Sequence, residues 1–120
     1  GKFGTPLRSA YSASKHALHG YFDSLRAEIE QNIAITIVCP GFIKTQVTIN
    51  ALTANGDAQG TMDHAQENGM LPEVCAQEII KAINAKKQEV YIGGKETKSV
   101  LLKRFLPKLF AKIIRKAKVT

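Results

Sequence analysis

A tyrosine and a lysine four residues apart are the residues of this sequence whose types and spacing best suit chemistry. Tyr11 and Lys15 fall in a segment of helical periodicity, and positions four apart on a helix share one face. A phenol is a poor base near neutral pH, but a neighbouring ammonium group favours its phenolate form. Such a pair could give a proton to a carbonyl oxygen or take one from an alcohol. The spacing alone is also common on helix surfaces, so it needs a second feature beside it.

A proline–glycine turn, twenty-five residues after the lysine, is that second feature. The apolar run 33–39 ends at Pro40 and Gly41. Ligands of open α/β sheets bind beyond the carboxyl ends of strands. A fixed turn without bulky side chains would let the backbone approach a flat ring there. An ordinary turn at the end of a strand would explain the same two residues without a ligand.

The elements that must position these residues follow from the spacing of apolar side chains. In order, the sequence predicts a helix over 9–31, a strand over 33–39, a long loop over 42–70, a helix over 72–86, a strand over 89–92 and a basic amphipathic helix over 97–119 that is interrupted at Pro107. Strands that alternate with helices predict an α/β fold with a parallel sheet. Two strands cannot complete such a sheet, so we expect further strands outside this sequence.

Two finer predictions concern the second helix and the loop before it. The helix carries one apolar stripe, which is formed by Val74, Cys75, Ile79, Ala82 and Ile83. The loop contains two turn signals, which are Asn55 with Gly56 and Asn68 with Gly69, and no hairpin pattern is expected around either of them. A loop of this length inside a compact domain is usually functional or mobile.

Composition excludes several classes of protein. With 44% hydrophobic and 22% charged residues, the chain is not of the disordered type. No apolar run approaches the roughly 18 residues that a membrane span needs. Cys39 and Cys75 lack the spacing of a metal or redox motif, so we expect two buried thiols in a reducing compartment. The net charge of +7 lies in the tail, because residues 95–120 hold nine basic residues and one acid.

Taken together, the two chemical features resemble the short-chain dehydrogenase/reductase family. The segments Ala10-Tyr-Ser-Ala-Ser-Lys-His-Ala17 and Val38-Cys-Pro-Gly-Phe-Ile-Lys-Thr45 are characteristic of that family, and the resemblance extends over residues 5–94. It implies the C-terminal portion of a Rossmann-type doubly wound parallel sheet over 1–94, followed by a basic amphipathic helical tail over 95–120. The tail and the ending Gly93-Gly94-Lys95 resemble the subgroup related to 11β-hydroxysteroid dehydrogenases.

The resemblance also implies a reaction and the residues that carry it. The activity would be an NAD(P)-dependent oxidoreduction that interconverts an alcohol and a carbonyl by hydride transfer. Tyr11 would be the catalytic acid/base, and Lys15 would favour the phenolate and hydrogen-bond the nicotinamide ribose. Phe42 and the loop after it would form part of the pocket for a small-molecule alcohol or carbonyl substrate.

A cofactor site is implied on the same grounds. Pro40 and Gly41 would lie against the nicotinamide, Ile43 would offer its backbone to the carboxamide, and Thr45 would hold the carboxamide or diphosphate through its hydroxyl. The cofactor would be NAD or NADP, with a slight lean towards NADP. The choice rests on residues near the ribose hydroxyl, which belong to the other half of the family's fold.

Several parts of the family pattern do not occur in this sequence. The glycine-rich turn, the Asn-Asn-Ala-Gly segment, the catalytic asparagine and the catalytic serine have no counterpart here. We therefore expect these 120 residues alone to be inactive and to bind NAD(P) weakly or not at all. His16 and His19 have no third ligand at useful spacing, so no metal site is expected. His16 should lie beside the active helix, and His19 on its surface.

The basic tail supports a different class of function. Its apolar stripe could pack on the protein's own core, bind a membrane surface or partner, or, less favourably, accompany nucleic-acid binding, which is not expected. The alternative to an enzyme is therefore a non-catalytic relative or a surface-binding module that acts through this tail. The expected location is cytoplasmic, with peripheral membrane contact through 97–119 as an option. Family members often pair through the long helix, so a homo-oligomer is also expected.

Overall fold

Five helices and two short strands form the regular structure of the residues that the computed structural model describes, which are 2–29, 32–53, 55–62 and 64–117. The order is α1 (Ser9–Glu28), β1 (Ile37–Pro40), α2 (His64–Glu67), α3 (Pro72–Asn84), β2 (Glu89–Ile92), a 3-10 turn (Lys95–Lys98), α4 (Ser99–Phe105) and α5 (Pro107–Ile114). The predicted alternation of helices and strands is therefore present.

The long first helix begins where it was predicted and ends earlier. The backbone of Ile29 is already extended, while its N–H still bonds the carbonyl of Leu25 at 3.0 Å. Asn32 then adopts a φ of 103°, a left-handed conformation that asparagine tolerates better than most residues. The chain thus turns back towards the sheet within a few residues. The predicted end at 31 lies outside the described residues.

The two strands pair in parallel, as the alternating pattern predicted. Ile37 pairs with Glu89 and Cys39 pairs with Tyr91. The second strand has the predicted bounds, whereas the first begins at Ile37 instead of residue 33. The ladder begins where the N–H of Ile37 donates to the carbonyl of Gln88 at 2.9 Å. The Arg26 guanidinium of α1 donates at 3.2 Å to the same carbonyl and to that of Ile35, so it joins the helix to the start of the sheet.

The long loop between β1 and α3 returns to the end of the strand it left. The N–H of Met70 donates to the carbonyl of Phe42, and the N–H of Lys44 donates to the carbonyl of Met70, both at 2.9 Å. Further out, Leu52 pairs with Ala58 in an antiparallel bridge. The prediction that no hairpin surrounds the turn signal at residues 55 and 56 was wrong, because these flanking residues form one.

A narrow core lies between α3 and β2. Cys75 and Ala82 of α3 and Ile92 of β2 are buried. Of the predicted stripe on α3, Val74 and Ile83 are largely exposed, because only one side of this helix has cover. Both cysteines are free, Cys75 buried and Cys39 only half-buried, so the prediction of two buried thiols is confirmed for Cys75 alone.

The tail forms two helices that meet at the predicted break. The N–H of Leu106 bonds the carbonyl of Leu102 at 2.8 Å to close α4, and Pro107 opens α5 at a position that needs no amide hydrogen. Phe110 is buried and packs edge-on against Phe3, with the ring centroids 5.2 Å apart. This contact fixes the tail to the segment before α1. The predicted end at 119 lies outside the described residues.

Much apolar surface nevertheless stays in contact with solvent. The chain exposes 9175 Å², whereas a folded monomer of 13.1 kDa exposes about 6,400 Å². Within the described ranges, no helix is both long and apolar enough to cross a bilayer.

The carboxylate of Glu96 joins the carboxyl ends of the two strands. Its Oε1 accepts the N–H of Phe42, just after β1, at 3.1 Å and the N–H of Gly94, just after β2, at 2.9 Å. Partial burial alone would raise the pKa of this carboxyl, but the N–H groups of Gly94, of Glu96 itself and of Phe42 outweigh that effect and hold the pKa below its ordinary value. The charged form is therefore the one that the fold prefers.

Replacing Glu96 with glutamine should lower the free energy of unfolding by about 1 kcal/mol at neutral pH, because a neutral amide oxygen accepts weaker hydrogen bonds than a carboxylate. The deficit should shrink as the pH falls. The carboxylate stabilises the fold above its unfolded-state pKa, and this contribution is lost as the pH falls through the lowered folded-state pKa. Urea unfolding at several pH values measures both effects. Glu67→Gln, on the exposed side of α2, is the control, and equal losses in the two variants would contradict the assignment.

Truncating Phe110 to alanine should cost about 3 kcal/mol of folding free energy, since it removes a buried ring and leaves a cavity against Phe3. The matched control is Phe105→Ala, because Phe105 is 71% exposed and Phe110 only 7%. The control should lie within about 0.5 kcal/mol of the unaltered protein. Urea unfolding of both variants tests this, and similar losses would show that the tail is not held by Phe110.

Candidate active site

A cavity of about 480 Å³ opens between the first turns of α1 and the carboxyl end of β1. Tyr11 and Lys15 line it from the helix, and Pro40, Gly41 and Phe42 line it from the strand end. Residues that sequence reasoning grouped from two distant segments therefore face one space. This position, beyond the carboxyl end of a parallel strand, is where ligands of α/β sheets bind.

The helix presents the tyrosine and the lysine on the same side, as the four-residue spacing predicts. The Lys15 ammonium lies 5.5 Å from the centroid of the Tyr11 ring. Tyr11 is 59% exposed, so its phenol is open to the cavity and to a molecule that enters it. Local hydrogen bonds order this first part of the helix: Ser14 Oγ donates to the Tyr11 carbonyl at 2.8 Å.

The proline–glycine turn forms the opposite wall. A β-carbon at Gly41 would lie 2.0 Å from Oε1 of Glu96, so only glycine lets this carboxylate reach the strand end. A β-carbon at Gly93 would meet the same oxygen at 2.6 Å. The turn thus has open backbone, as a flat ring would need, and in this structure a carboxylate lies against it.

Two of the predicted cofactor residues stand outside the cavity. Ile43 forms an isolated parallel bridge with Met70 in the returning loop. The Thr45 hydroxyl accepts the N–H of Val47 at 3.5 Å. Both residues follow Phe42 closely, but neither is among the residues that line the cavity.

The groups that line this cavity are of the types that would hold the nicotinamide end of a dinucleotide. Its walls supply a phenol, an ammonium group and a glycine turn with open backbone. The Glu96 side chain covers that turn, yet it is a flexible group and could turn aside for a ring. Tyr11 and Lys15 on one wall and Gly41 on the other are the residues that would hold the ring and its ribose.

Sequence reasoning missed a polar cluster at the same cavity, whose lining includes His19, Cys39 and Tyr91. His19 does not lie on the helix surface, as predicted, but faces the sheet one turn below Lys15. Its Nε2 is 3.9 Å from Cys39 Sγ, and its Nδ1 is 3.6 Å from the Glu89 carboxylate. Tyr91 donates its hydroxyl to Glu89. The continued four-residue spacing from Tyr11 through Lys15 to His19 was the signal that could have revealed it.

Burial and charge shift the titration of this cluster. Burial, helped by the Lys2 ammonium, lowers the pKa of His19 against the pull of Glu89. Burial also raises the pKa of the Cys39 thiol. For Glu89, burial acts to raise the pKa, but the hydrogen bonds from Lys2 and Tyr91 prevail and lower it. Near neutral pH the cluster therefore holds a neutral imidazole, a thiol and a carboxylate.

The same cluster has the residue types of a metal site, though not those first considered. His16 turns away, with Nδ1 2.7 Å from the Ser12 carbonyl, whereas His19, Cys39 and Glu89 place one ligand atom each within 4.8 Å of one another. Helix α1 thus supplies one of these three ligand atoms, and the two strands supply the other two. However, the Lys2 ammonium lies 2.6 Å from the Glu89 carboxylate and already supplies its positive charge. We interpret the cluster as an ion pair between Lys2 and Glu89 with His19 beside it, and not as a metal site.

Comparison with known proteins places these observations in a family. Residues 1–56 match the family model described as short chain dehydrogenase. The chain is 42% identical over 116 residues to dehydrogenase/reductase SDR family member 7B of Xenopus laevis, which covers 95% of this chain and 36% of that protein. It is 41% identical to the Bos taurus protein of the same name, with the same coverage of each chain. No solved structure matches the chain significantly.

A relative from Drosophila melanogaster extends the match over nearly the whole chain. The chain is 40% identical over 121 residues to its dehydrogenase/reductase SDR family protein 7-like, covering 99% of this chain and 37% of that protein. The chain thus spans just over a third of the length of these curated relatives. The narrower resemblance to 11β-hydroxysteroid dehydrogenases stays a prediction. With the Tyr-x-x-x-Lys pair and the proline–glycine turn on one cavity, and with these matches, the chain belongs to the short-chain dehydrogenase/reductase family.

Proposed function

We propose that the protein containing this chain is an NAD(P)-dependent oxidoreductase that interconverts an alcohol and a carbonyl, with Tyr11 as the acid/base. The observation that carries the proposal is that Tyr11, Lys15 and the Pro40–Gly41 turn line one cavity. Membership of an oxidoreductase family supports the same reaction class. We also propose that β1 and β2 belong to a doubly wound parallel sheet of the Rossmann type.

Helix α1 supplies the residues for proton transfer. When bound, the nicotinamide supplies or accepts a hydride at the substrate carbon. Tyr11 donates its phenolic proton to the carbonyl oxygen in reduction and removes the hydroxyl proton in oxidation. The Lys15 ammonium lies beside the Tyr11 ring, 5.5 Å from its centroid, and hydrogen-bonds the nicotinamide ribose. An exposed phenol in an open cavity can reach a substrate oxygen without a rearrangement of the helix.

The carboxyl end of β1 supplies the residues for cofactor binding. Gly41 leaves room for the nicotinamide ring, and Pro40 fixes the backbone around it. The Glu96 carboxylate must then turn aside, because it lies where a β-carbon of Gly41 would. Ile43 and Thr45 lie outside this cavity. We propose that, at its edge, the Ile43 backbone meets the carboxamide and the Thr45 hydroxyl meets the carboxamide or diphosphate.

Substrate recognition would involve Phe42 and the loop that returns to it. The Phe42 ring lies on the cavity wall, and the hydrogen bonds between Phe42, Lys44 and Met70 fix its backbone. An apolar wall beside a phenol suits a carbonyl or alcohol carried on an apolar group. The lean towards NADP and the homo-oligomer stay predictions.

Tyr11→Phe should reduce turnover by about 100-fold or more while cofactor affinity is retained, since only the phenolic hydroxyl moves the proton. The test uses steady-state kinetics and cofactor titration on an active protein that contains this chain. Tyr21→Phe is the matched control, because Tyr21 is an exposed tyrosine on the same helix. Its turnover should be unchanged. Turnover near that of the unaltered protein in Tyr11→Phe would remove the assignment of Tyr11 as the acid/base, whereas no turnover in the unaltered protein would favour a non-catalytic relative.

Gly41→Ala should weaken cofactor binding by about 10-fold or more, because the new methyl group takes the space proposed for the ring. It should also lower stability, since the methyl group displaces the Glu96 carboxylate. Gly20→Ala is the control, as a β-carbon there would meet nothing within 4 Å. In the double variant with Glu96→Ala, the clash is gone. Cofactor affinity restored to that of Glu96→Ala alone would show that no ring binds at this turn.

A further inference from the structure

The two tail helices carry a row of apolar side chains that the other described residues of this chain leave uncovered. Leu101 and Phe105, four apart on α4, are 57% and 71% exposed. Leu109 and Ile113, four apart on α5, are 46% and 50% exposed. The buried face of the tail is a different row, which includes Phe110. The exposed row is therefore additional to the contact that fixes the tail, and we call these four residues the outer row.

The outer row stands in strongly basic surroundings. Seven basic side chains and no acidic one lie between residues 97 and 117; they are Lys98, Lys103, Arg104, Lys108, Lys112, Arg115 and Lys116. All seven are exposed. Over the part of the chain that the structure describes, the ion pairs present involve other residues. The Lys103 ammonium donates to the carbonyl of Lys2 at 2.9 Å, and the exposed charge of the other six is available to a ligand.

We propose that α4 and α5 dock on an anionic membrane surface through the outer row and these basic side chains. Leucine, isoleucine and phenylalanine enter the boundary between headgroups and acyl chains, while lysine and arginine meet the lipid phosphates. The anchoring of Phe110 on Phe3 presents the surface on a folded body. This inference does not rest on the proposed oxidoreductase activity.

Charge complementarity favours an anionic membrane over a second copy of the chain and over a nucleic acid. A second copy of the chain would place one basic surface against another, and like charges oppose such a contact. A nucleic acid would satisfy the basic side chains but would leave leucines and a phenylalanine against phosphates and water. An anionic bilayer satisfies both the charge and the apolar groups.

The test is co-sedimentation of the purified protein, with its natural flanking sequence, with vesicles of phosphatidylcholine alone or with added phosphatidylserine. The bound fraction should rise about 5-fold or more with phosphatidylserine and fall at high salt. The double variant Leu101→Ser with Phe105→Ser should lose most of the binding that depends on phosphatidylserine. Because both side chains are exposed, its fold should be retained, and urea unfolding checks this.

The matched control changes an equally exposed apolar pair elsewhere. Ile80 and Ile83 on α3 are 57% and 53% exposed, and the variant Ile80→Ser with Ile83→Ser should bind vesicles as the unaltered protein does. Binding that is indifferent to phosphatidylserine, or an equal loss in both variants, would overturn the proposal. So would self-association without vesicles that only the outer-row variant abolishes. Turnover measured on the same samples with a water-soluble substrate tests the enzyme separately.

Discussion

One carboxylate holds the functional end of this structure together. Glu96 accepts N–H groups from the residues that follow both strands, so a single side chain sets where β1 and β2 end and where the tail begins. It can do so because Gly41, Gly93 and Gly94 leave space that β-carbons would fill. The same carboxylate lines the cavity that Tyr11 faces and a second one of about 390 Å³ beside the returning loop. Stability and site geometry at this end therefore share one group.

The rest of the architecture is held by few buried apolar contacts. The buried apolar side chains of the described residues are few: Cys75, Ala82, Ile92 and Phe110. Helix α1 contributes none of them and is joined to the strands by polar groups, such as the Arg26 guanidinium and His19. Hydrogen bonds to charged groups are directional, so they fix the orientation of the helix well even where little apolar area is buried.

Local sequence patterns predicted most of the helices and strands and the Tyr11–Lys15 pair. The features that were not predicted depend on side-chain contacts between distant residues. The bounds of β2, the parallel pairing and the break at Pro107 follow from β-branched runs, alternation and proline chemistry, which act over a few residues. The same holds for Tyr11 and Lys15 on one helical face. The contacts of His19, Glu89 and Glu96 were not predicted. Their partners are distant in sequence, and these contacts depend on strand register, which one sequence does not specify. The first strand was predicted too long for the same reason.

The cavity wall is not made by the helix and strand alone. Thr97 and Val100, at the start of the tail, also line it. A ligand in the cavity and a surface bound by the tail would therefore contact neighbouring residues of one short segment, because the outer row begins at Leu101. If that segment shifts when either one binds, the two affinities are linked, and by thermodynamic necessity the linkage is equal in both directions. A lipid surface would then act as an effector of cofactor or substrate affinity, and occupancy of the cavity would regulate how long the protein stays on that surface.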